Sequence, residues 1–161
     1  MKKNSVQNRR KSIDPIDRRM IELLQKDGRV SNTEIAKTIG ISEATVRTRM
    51  QRLIQEEYIQ IVAVSNPLKL GFKVVGTIRI HVEIKKMDRI IHELKAIKAL
   101  WHIVQTTAGT GIDTEFVLKS LGELNTLIFE KINRIDGVLR TETTLFLHYV
   151  KRQYDWGTAL E

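Results

Sequence analysis

The sequence has no cysteine, which excludes disulfides, thiolate zinc sites and cysteine nucleophiles. Prolines number only two, Pro15 and Pro67, so each is read as a boundary marker. No apolar run approaches the roughly 18 residues that a membrane span needs. The N-terminal stretch MKKNSVQNRRKS is basic and polar, and it lacks the apolar core of a secretory signal. A cytoplasmic chain with no membrane partner is therefore expected. What is present suits a folded protein: 42% hydrophobic residues can build a core, and 29% charged residues keep its surface wet. The formal net charge is +8 and the pI about 9.8, an excess that favours a polyanionic partner. Residues 1–66 carry net +5 and residues 67–161 net +3, so the shorter first part is the more basic and is expected to meet that polyanion.

The first half has helical periodicity. Residues 1–12 show no apolar pattern and read as a flexible basic arm. In SIDPIDRRMIELLQKDGR, Ile16, Met20, Leu23 and Leu24 share one helical face, with Asp14 as N-cap and Pro15 at the first helical position. Ser31 and Glu34 form a capping-box pattern at the start of a second helix, which ends at Gly40. Ser42 caps a third helix with Val46, Met50, Leu53 and Ile54 inward. The run Tyr58–Val64 alternates and is rich in β-branched residues, so it reads as a strand. Three helices and a strand over residues 13–64 make a winged helix-turn-helix. NPLKLGF, with its Pro and Gly, places a hinge at residues 65–72.

The second half repeats a different pattern. In Lys73–Glu83, Val74, Ile78, Ile80 and Val82 lie on one face and Val75, Thr77, Arg79 and His81 on the other. MDRIIHELKAIKAL reads as a helix with Ile90, Ile91, Leu94 and Ile97 inward. Strands follow over Trp101–Thr107 and Thr114–Lys119, joined by the turn GTGID. GELNTLIFEKINRI is a second helix with Leu124, Leu127, Ile128 and Ile132 inward, and Val138–Val150 is a long closing strand. The order βαββαβ over residues 73–151 is the split pattern of a ferredoxin-like domain. Residues 152–161 form a C-terminal tail. The fold class is thus α+β. Such a sheet carries helices on one face only; the other would include Val75, Val104 and Val117, which predicts cover by a second subunit.

The chemistry concentrates in the third helix. A helix-turn-helix lays its second helix in the major groove of double-stranded DNA. At 100° per residue, the side opposite Val46, Met50 and Leu53 presents Ala44, Thr45, Thr48, Gln51 and Arg52, with Arg47 and Arg49 on the flanks. Ser42 and Ala44 are small enough to let the backbone approach the bases. Thr and Gln can hydrogen-bond base edges, Arg can take guanine or phosphate, and flanking arginines suit phosphates. The expected assignment is Thr45, Thr48 and Arg52 to bases and Arg47 and Arg49 to phosphates. The bland alternative is an ordinary helical pair with a solvated basic face.

The stretch IDPIDRRMIELLQKDGRVSNTEIAKTIGISEATVRTRMQRLIQEEYIQ resembles the DNA-binding domain of the Lrp/AsnC (leucine-responsive, feast/famine) regulators. NPLKLGF resembles their hinge, and the later G…D and I-x-G-V-x-x-T-x-T patterns resemble their effector-binding domain. The resemblance spans about residues 13–151. It implies transcriptional control through DNA, a homodimer or an assembly of dimers, and an amino-acid effector held between dimers. By the same resemblance, Gly109, Thr110, Gly111, Ile112 and Asp113 would line the effector site. The family writes G-x-x-D there; this chain has GTGID, one residue longer or shorter depending on which Gly is aligned.

No cofactor or metal site is assigned: His81, His102 and His148 are spread over strands and His92 lies on a helix. Asp113 and Glu115 have no partner nucleophile or histidine that would make them a catalytic pair, so no enzyme is expected. Trp101 reads as core or interface, while Trp156 lies beyond the last strand. Three functions remain to be separated: a ligand-responsive, sequence-specific regulator; an architectural protein that wraps DNA without a ligand; and a metabolite-binding or enzymatic module on the ferredoxin-like half.

Overall fold

The computed structural model describes residues 12–107, 109 and 111–159. The basic arm of residues 1–11 and Thr110 of the expected effector turn lie outside the described residues. The chain divides into two compact units. One runs to Ala63 and takes up the chain again from Lys151; the other is Val64–Val150. The last residues, read from sequence as a separate tail, are thus part of the first unit.

The first unit contains α1 (Pro15–Lys26), α2 (Asn32–Ile39) and α3 (Glu43–Gln55). Each begins where a side-chain oxygen meets an orphan backbone donor. Asp14 accepts from Asp17 N–H while Asp17 accepts from Asp14 N–H, a reciprocal capping box. Ser31 accepts from Glu34 N–H and Ser42 from Thr45 N–H, each at 3.1 Å. Gly40 ends α2 at φ 80°, the left-handed conformation that lets the chain turn at once into α3. Met20, Ile21, Ile35, Ala36, Val46 and Leu53 form the core, with Ile16, Leu23, Leu24, Met50 and Ile59 packed against it.

The expected wing strand is not formed. Tyr58–Val64 makes no ladder with any described residue. Ile59 packs on the core, but Ile61, Val62 and Val64 are exposed. Alternation and β-branching fit a residue to a pleated surface; they do not supply the neighbouring strand that the backbone must pair with.

The second unit is a four-stranded antiparallel sheet in the order β2-β3-β1-β4, with β1 (Val74–Val82), β2 (Leu100–Gln105), β3 (Gly111–Leu118) and β4 (Val138–Leu145). Two helices cross it: α4 (Met87–Lys95), and α5 (Leu121–Asn125) continued by π-helical winding over Thr126–Ile132. The expected βαββαβ order is present. In a regular α-helix Leu127 and Ile132 would point about 140° apart. The wider π turn, closed by Asn133 N–H to the Ile128 carbonyl at 2.9 Å, lets both be buried. The core lies between helices and sheet, with Ile78, Ile80, Ile90, Leu94, Ile112, Phe116 and Ile132 fully buried.

The opposite sheet face differs from the apolar surface expected there. Val75 is already buried within the chain and Val117 is half-buried, leaving Val104 as the exposed valine of the three. Polar and charged pairs line it instead. Arg79 of β1 grips Asp113 of β3, and Glu142 of β4 meets Arg140 of its own strand at 2.6 Å and the His81 ring of β1 at 3.0 Å. β4 also stops at Leu145, opposite Gly76 of β1, earlier than its alternating pattern suggested; one further backbone bond, Phe146 N–H to the Val75 carbonyl at 2.8 Å, follows it.

Candidate nucleic-acid interface

The exposed side of α3 is a stripe of short polar side chains edged by one arginine. Ser42, Ala44, Thr45, Arg47, Thr48 and Gln51 are all exposed. Ser42 and Thr45 share a hydrogen bond between their hydroxyls at 2.8 Å, and Thr48 donates to the Ala44 carbonyl at 3.0 Å. Both threonine hydroxyls are thus engaged locally and, being exposed, keep hydrogen-bonding capacity for a further partner. Arg47 reaches back to Glu43 at 3.0 Å, an exposed i, i+4 pair that a phosphate can replace at little cost. Glu43 also accepts from the Thr33 hydroxyl at 3.0 Å, joining the first turns of α2 and α3.

Arg49 and Arg52 do not belong to this stripe. Both are half-buried and turned toward α1. Arg49 donates through Nη1 to Asp14 Oδ2 at 2.6 Å and to Asp17 Oδ1 at 2.9 Å. Arg52 donates through Nη2 to Asp17 Oδ2. Asp17 is fully buried, and its two oxygens accept from both arginines and from the Asp14 N–H. A carboxyl removed from water is costly unless donors meet its oxygens, and here each oxygen has at least one. For Asp14, burial alone would push the carboxyl up. The Asp17 N–H and the Arg49 guanidinium outweigh it and hold Asp14 below the usual carboxylate range. Arg49 shifts the opposite way, raised first by its hydrogen bond to Asp14 and then by that to Asp17.

Arg49 and Arg52, expected to meet a phosphate and a base, are in the DNA-free chain turned inward and anchor α3 to the start of α1. Their departure from the helical wheel has a physical reason. A long side chain can bend off its own radial direction, and arginine carries its charge five bonds beyond Cβ, toward whichever anion is in reach. In sequence Asp14 reads as a helix cap and Asp17 carries no assignment. The signal was two carboxylates in one first turn and two arginines three apart on α3, but sequence spacing could not say that they meet.

The expected effector turn is also reapportioned. Gly111, Ile112 and Asp113 are the first residues of β3, not turn residues, because Ile112 pairs with Ile80 and Asp113 with Arg79 across β1. The Gly111 carbonyl accepts from Thr106 N–H at 3.1 Å and Thr106 Oγ1 at 3.2 Å, which closes the hairpin just before it. Ile112 is fully buried in the core, so its side chain faces away from any surface site. Asp113 is held by Arg79 in a bidentate pair, Nε to Oδ1 at 2.8 Å and Nη2 to Oδ2 at 2.9 Å. That guanidinium holds the Asp113 carboxyl below the usual range, against a smaller upward push from burial. Of the five residues, Gly109 alone is described in the turn.

A three-helix unit with an Arg-, Thr- and Gln-bearing third helix, followed by a ferredoxin-like unit, defines a helix-turn-helix DNA-binding transcriptional regulator, a class without enzymatic activity. The family description "AsnC-type helix-turn-helix domain" matches residues 13–54, and "Lrp/AsnC ligand binding domain" matches residues 76–156. The chain belongs to the Lrp/AsnC family. An HTH-type transcriptional regulator of Pyrococcus horikoshii is 37% identical over 153 residues, 94% of each chain. Among solved structures, AsnC of Escherichia coli superposes with a TM-score of 0.74 at 26% identity, covering 88% of this chain and 97% of that one. A transcriptional regulator of Neisseria meningitidis in complex with L-Met shares the fold, with a TM-score of 0.75 at 15% identity over 89% and 96% of the two chains. Among the described residues, no helix is long and apolar enough to cross a membrane.

Proposed function

We propose that the chain is a sequence-specific transcriptional regulator of the cytoplasm that reads DNA with the outer stripe of α3. In this reading Thr45, Thr48 and Gln51 contact base edges, Ser42 and Ala44 allow close approach, and Arg47 takes a phosphate. Arg49 and Arg52 set the angle of the helix from behind. The observation that carries the reading is the division of α3 into a free polar stripe and an arginine pair locked onto Asp17. One such stripe makes too few contacts for tight specific binding. Two-fold pairing would place two of them about 34 Å apart on one face of the duplex, so at least a homodimer is part of the proposal. The ion-paired sheet face is its proposed contact surface. A mobility-shift titration over salt tests the whole. Specific binding should weaken steeply with salt, and Thr48→Ala should change which operator is preferred more than it changes the salt slope.

We also propose an amino-acid effector, held near Gly109 and the start of β3 between dimers. The family's ligand-binding domain and the L-Met complex of the Neisseria regulator support it. A zwitterion matches the Arg79–Asp113 pair in charge: its carboxylate could take Arg79 and its ammonium Asp113. The pairing of those two residues with each other favours a second reading, a ligand-independent architectural protein that wraps DNA. A footprint that shifts with an added amino acid supports the first reading. One indifferent to all twenty supports the second.

A further inference from the structure

The chain does not finish with the sheet. The Phe146 N–H still bonds the Val75 carbonyl at 2.8 Å; from Lys151 onward the chain belongs to the helical unit. The contact that places it there is specific. Gln25, on the last turn of α1, accepts at Oε1 from the Gly157 N–H at 2.9 Å and donates from Nε2 to the Gly157 carbonyl at 3.2 Å. One carboxamide thus satisfies both backbone polar groups of one residue. Glutamate offers only acceptors and lysine only donors, so the amide side chain is the chemistry this contact needs. Gln25 and Gly157 are both half-buried, where an unpaired amide would be costly.

Gly157 holds φ 75°, a conformation L side chains rarely adopt, yet among the described residues beyond its chain neighbours no atom lies within 4 Å of where a Cβ would stand. The demand for glycine is conformational rather than steric. The segment leading to it has contacts of its own: Arg152 donates to the Tyr154 hydroxyl at 3.2 Å, and the Tyr154 and Trp156 rings meet edge to face at 6.0 Å.

We propose that residues 151–159 are a docking strap whose receptor is the C-terminal turn of α1, with the Gln25–Gly157 amide pairing as its latch. The chain then crosses between the two units twice, outward after Ala63 and back after Val150. The helical unit has two tethers instead of one hinge, and the second tether starts from the end of β4. A change in the sheet unit that moves β4 is thereby passed to α1, the helix whose first turn anchors Arg49 and Arg52 of α3. This gives the strap a place in regulation: latched, it limits the orientations the helical unit can take.

The test uses the full chain. Hydrogen exchange should show the Gly157 amide protected on the order of tenfold or more relative to a free peptide. Gln25→Ala should abolish that protection, Gln25→Glu should leave part of it through the remaining acceptor, and Gly157→Ala should weaken it without a clash. The chain has no native cysteine, so Lys37→Cys and Lys98→Cys can carry a spin-label pair, diluted into unlabelled chain. The distance distribution should broaden in the Gln25→Ala background. An unprotected Gly157 amide in the unaltered chain, or protection and distances indifferent to Gln25→Ala, overturns the latch. Protection that vanishes on dilution would put the strap on a second copy and overturn the intrachain assignment. Neither readout uses DNA or an amino acid, so failure here leaves the proposed function standing.

Discussion

Replacing Asp17 with asparagine keeps the shape of the side chain and removes its charge. The arginines on either side lose a carboxylate that is fully buried, while they themselves are only 25% and 24% exposed. Breaking a buried ion pair from one side typically costs about 3–5 kcal/mol. Two features lower the figure here: Arg49 keeps Asp14, and both guanidiniums retain some water. Against this, the asparagine NH2 is forced toward donors on one side, and the capping bond to the Asp14 N–H weakens, worth roughly 0.5–1 kcal/mol. A net loss of about 3 kcal/mol follows, and it falls on the helical unit alone. The two units need not unfold together, so a single melting temperature is a poor measure. Hydrogen exchange of the buried amides of Met20, Val46 and Leu53 reads the helical unit directly. At about 1.4 kcal/mol per decade, exchange there should quicken more than a hundredfold, while amides of Ile78 and Phe116 in the sheet stay unchanged. DNA affinity should drop for all sequences alike, because the helix is misplaced rather than deprived of a base contact. Acceleration of less than about fivefold would refute the reasoning: the buried carboxylate would then not be what fixes α3 to α1.

Arg47→Ala should leave exchange in the helical unit almost untouched, since an exposed i, i+4 pair is worth about 0.3–0.5 kcal/mol. It should still shallow the salt dependence of DNA binding by roughly one counterion, as titrations at several salt concentrations would show. Phe116→Ala, at the fully buried centre of the sheet unit, should cost about 3–5 kcal/mol in urea unfolding followed by sheet circular dichroism, without lowering protection in α1–α3. Acid should destabilise both units. The Asp14 and Asp113 carboxyls are depressed in the folded chain, so their stabilisation is complete above the unfolded aspartate value of about 3.9 and is lost as pH falls through the lower folded values. Unfolding midpoints should hold steady from neutral pH down to about pH 5 and fall below about pH 4. Light scattering of the full chain at micromolar concentration should report a dimer or larger; a monomer would remove the two-fold geometry from the proposed function.

Local signals were legible in the sequence where a residue acts on neighbours a few positions away. Ser31, Ser42 and Gly40 mark helix ends because a cap serves backbone groups within one turn. The two faces of β1 were readable from Val74 to Val82 because a period of two needs no knowledge of the partner strand. What depends on a distant partner was misread. Tyr58–Val64 has strand composition and no strand to join. The GTGID stretch looked like one turn, but pairing with Ile80 and Arg79 draws Ile112 and Asp113 into the sheet. Composition alone could not show that Asp113 would be neutralised 34 positions away by Arg79, or that the tail would return to Gln25.

The arginines of α3 show why such errors bear on function. A tally of basic residues gives this helix three arginines facing DNA. The structure leaves one of them, Arg47, on the exposed stripe and pairs the other two with Asp14 and Asp17 behind it. The two roles respond differently to the same experiment. A phosphate-binding arginine contributes through released counterions, so its loss is felt less as salt rises. An arginine bound to a half-buried or buried aspartate is screened little by salt, so its loss persists at every ionic strength. Arg47→Ala and Arg49→Ala should therefore diverge with salt, the first converging on the unaltered chain and the second remaining weaker throughout. If Arg49→Ala instead matched Arg47→Ala in salt slope, Arg49 would have to leave Asp14 and Asp17 on binding. The anchor would then belong to the free protein alone.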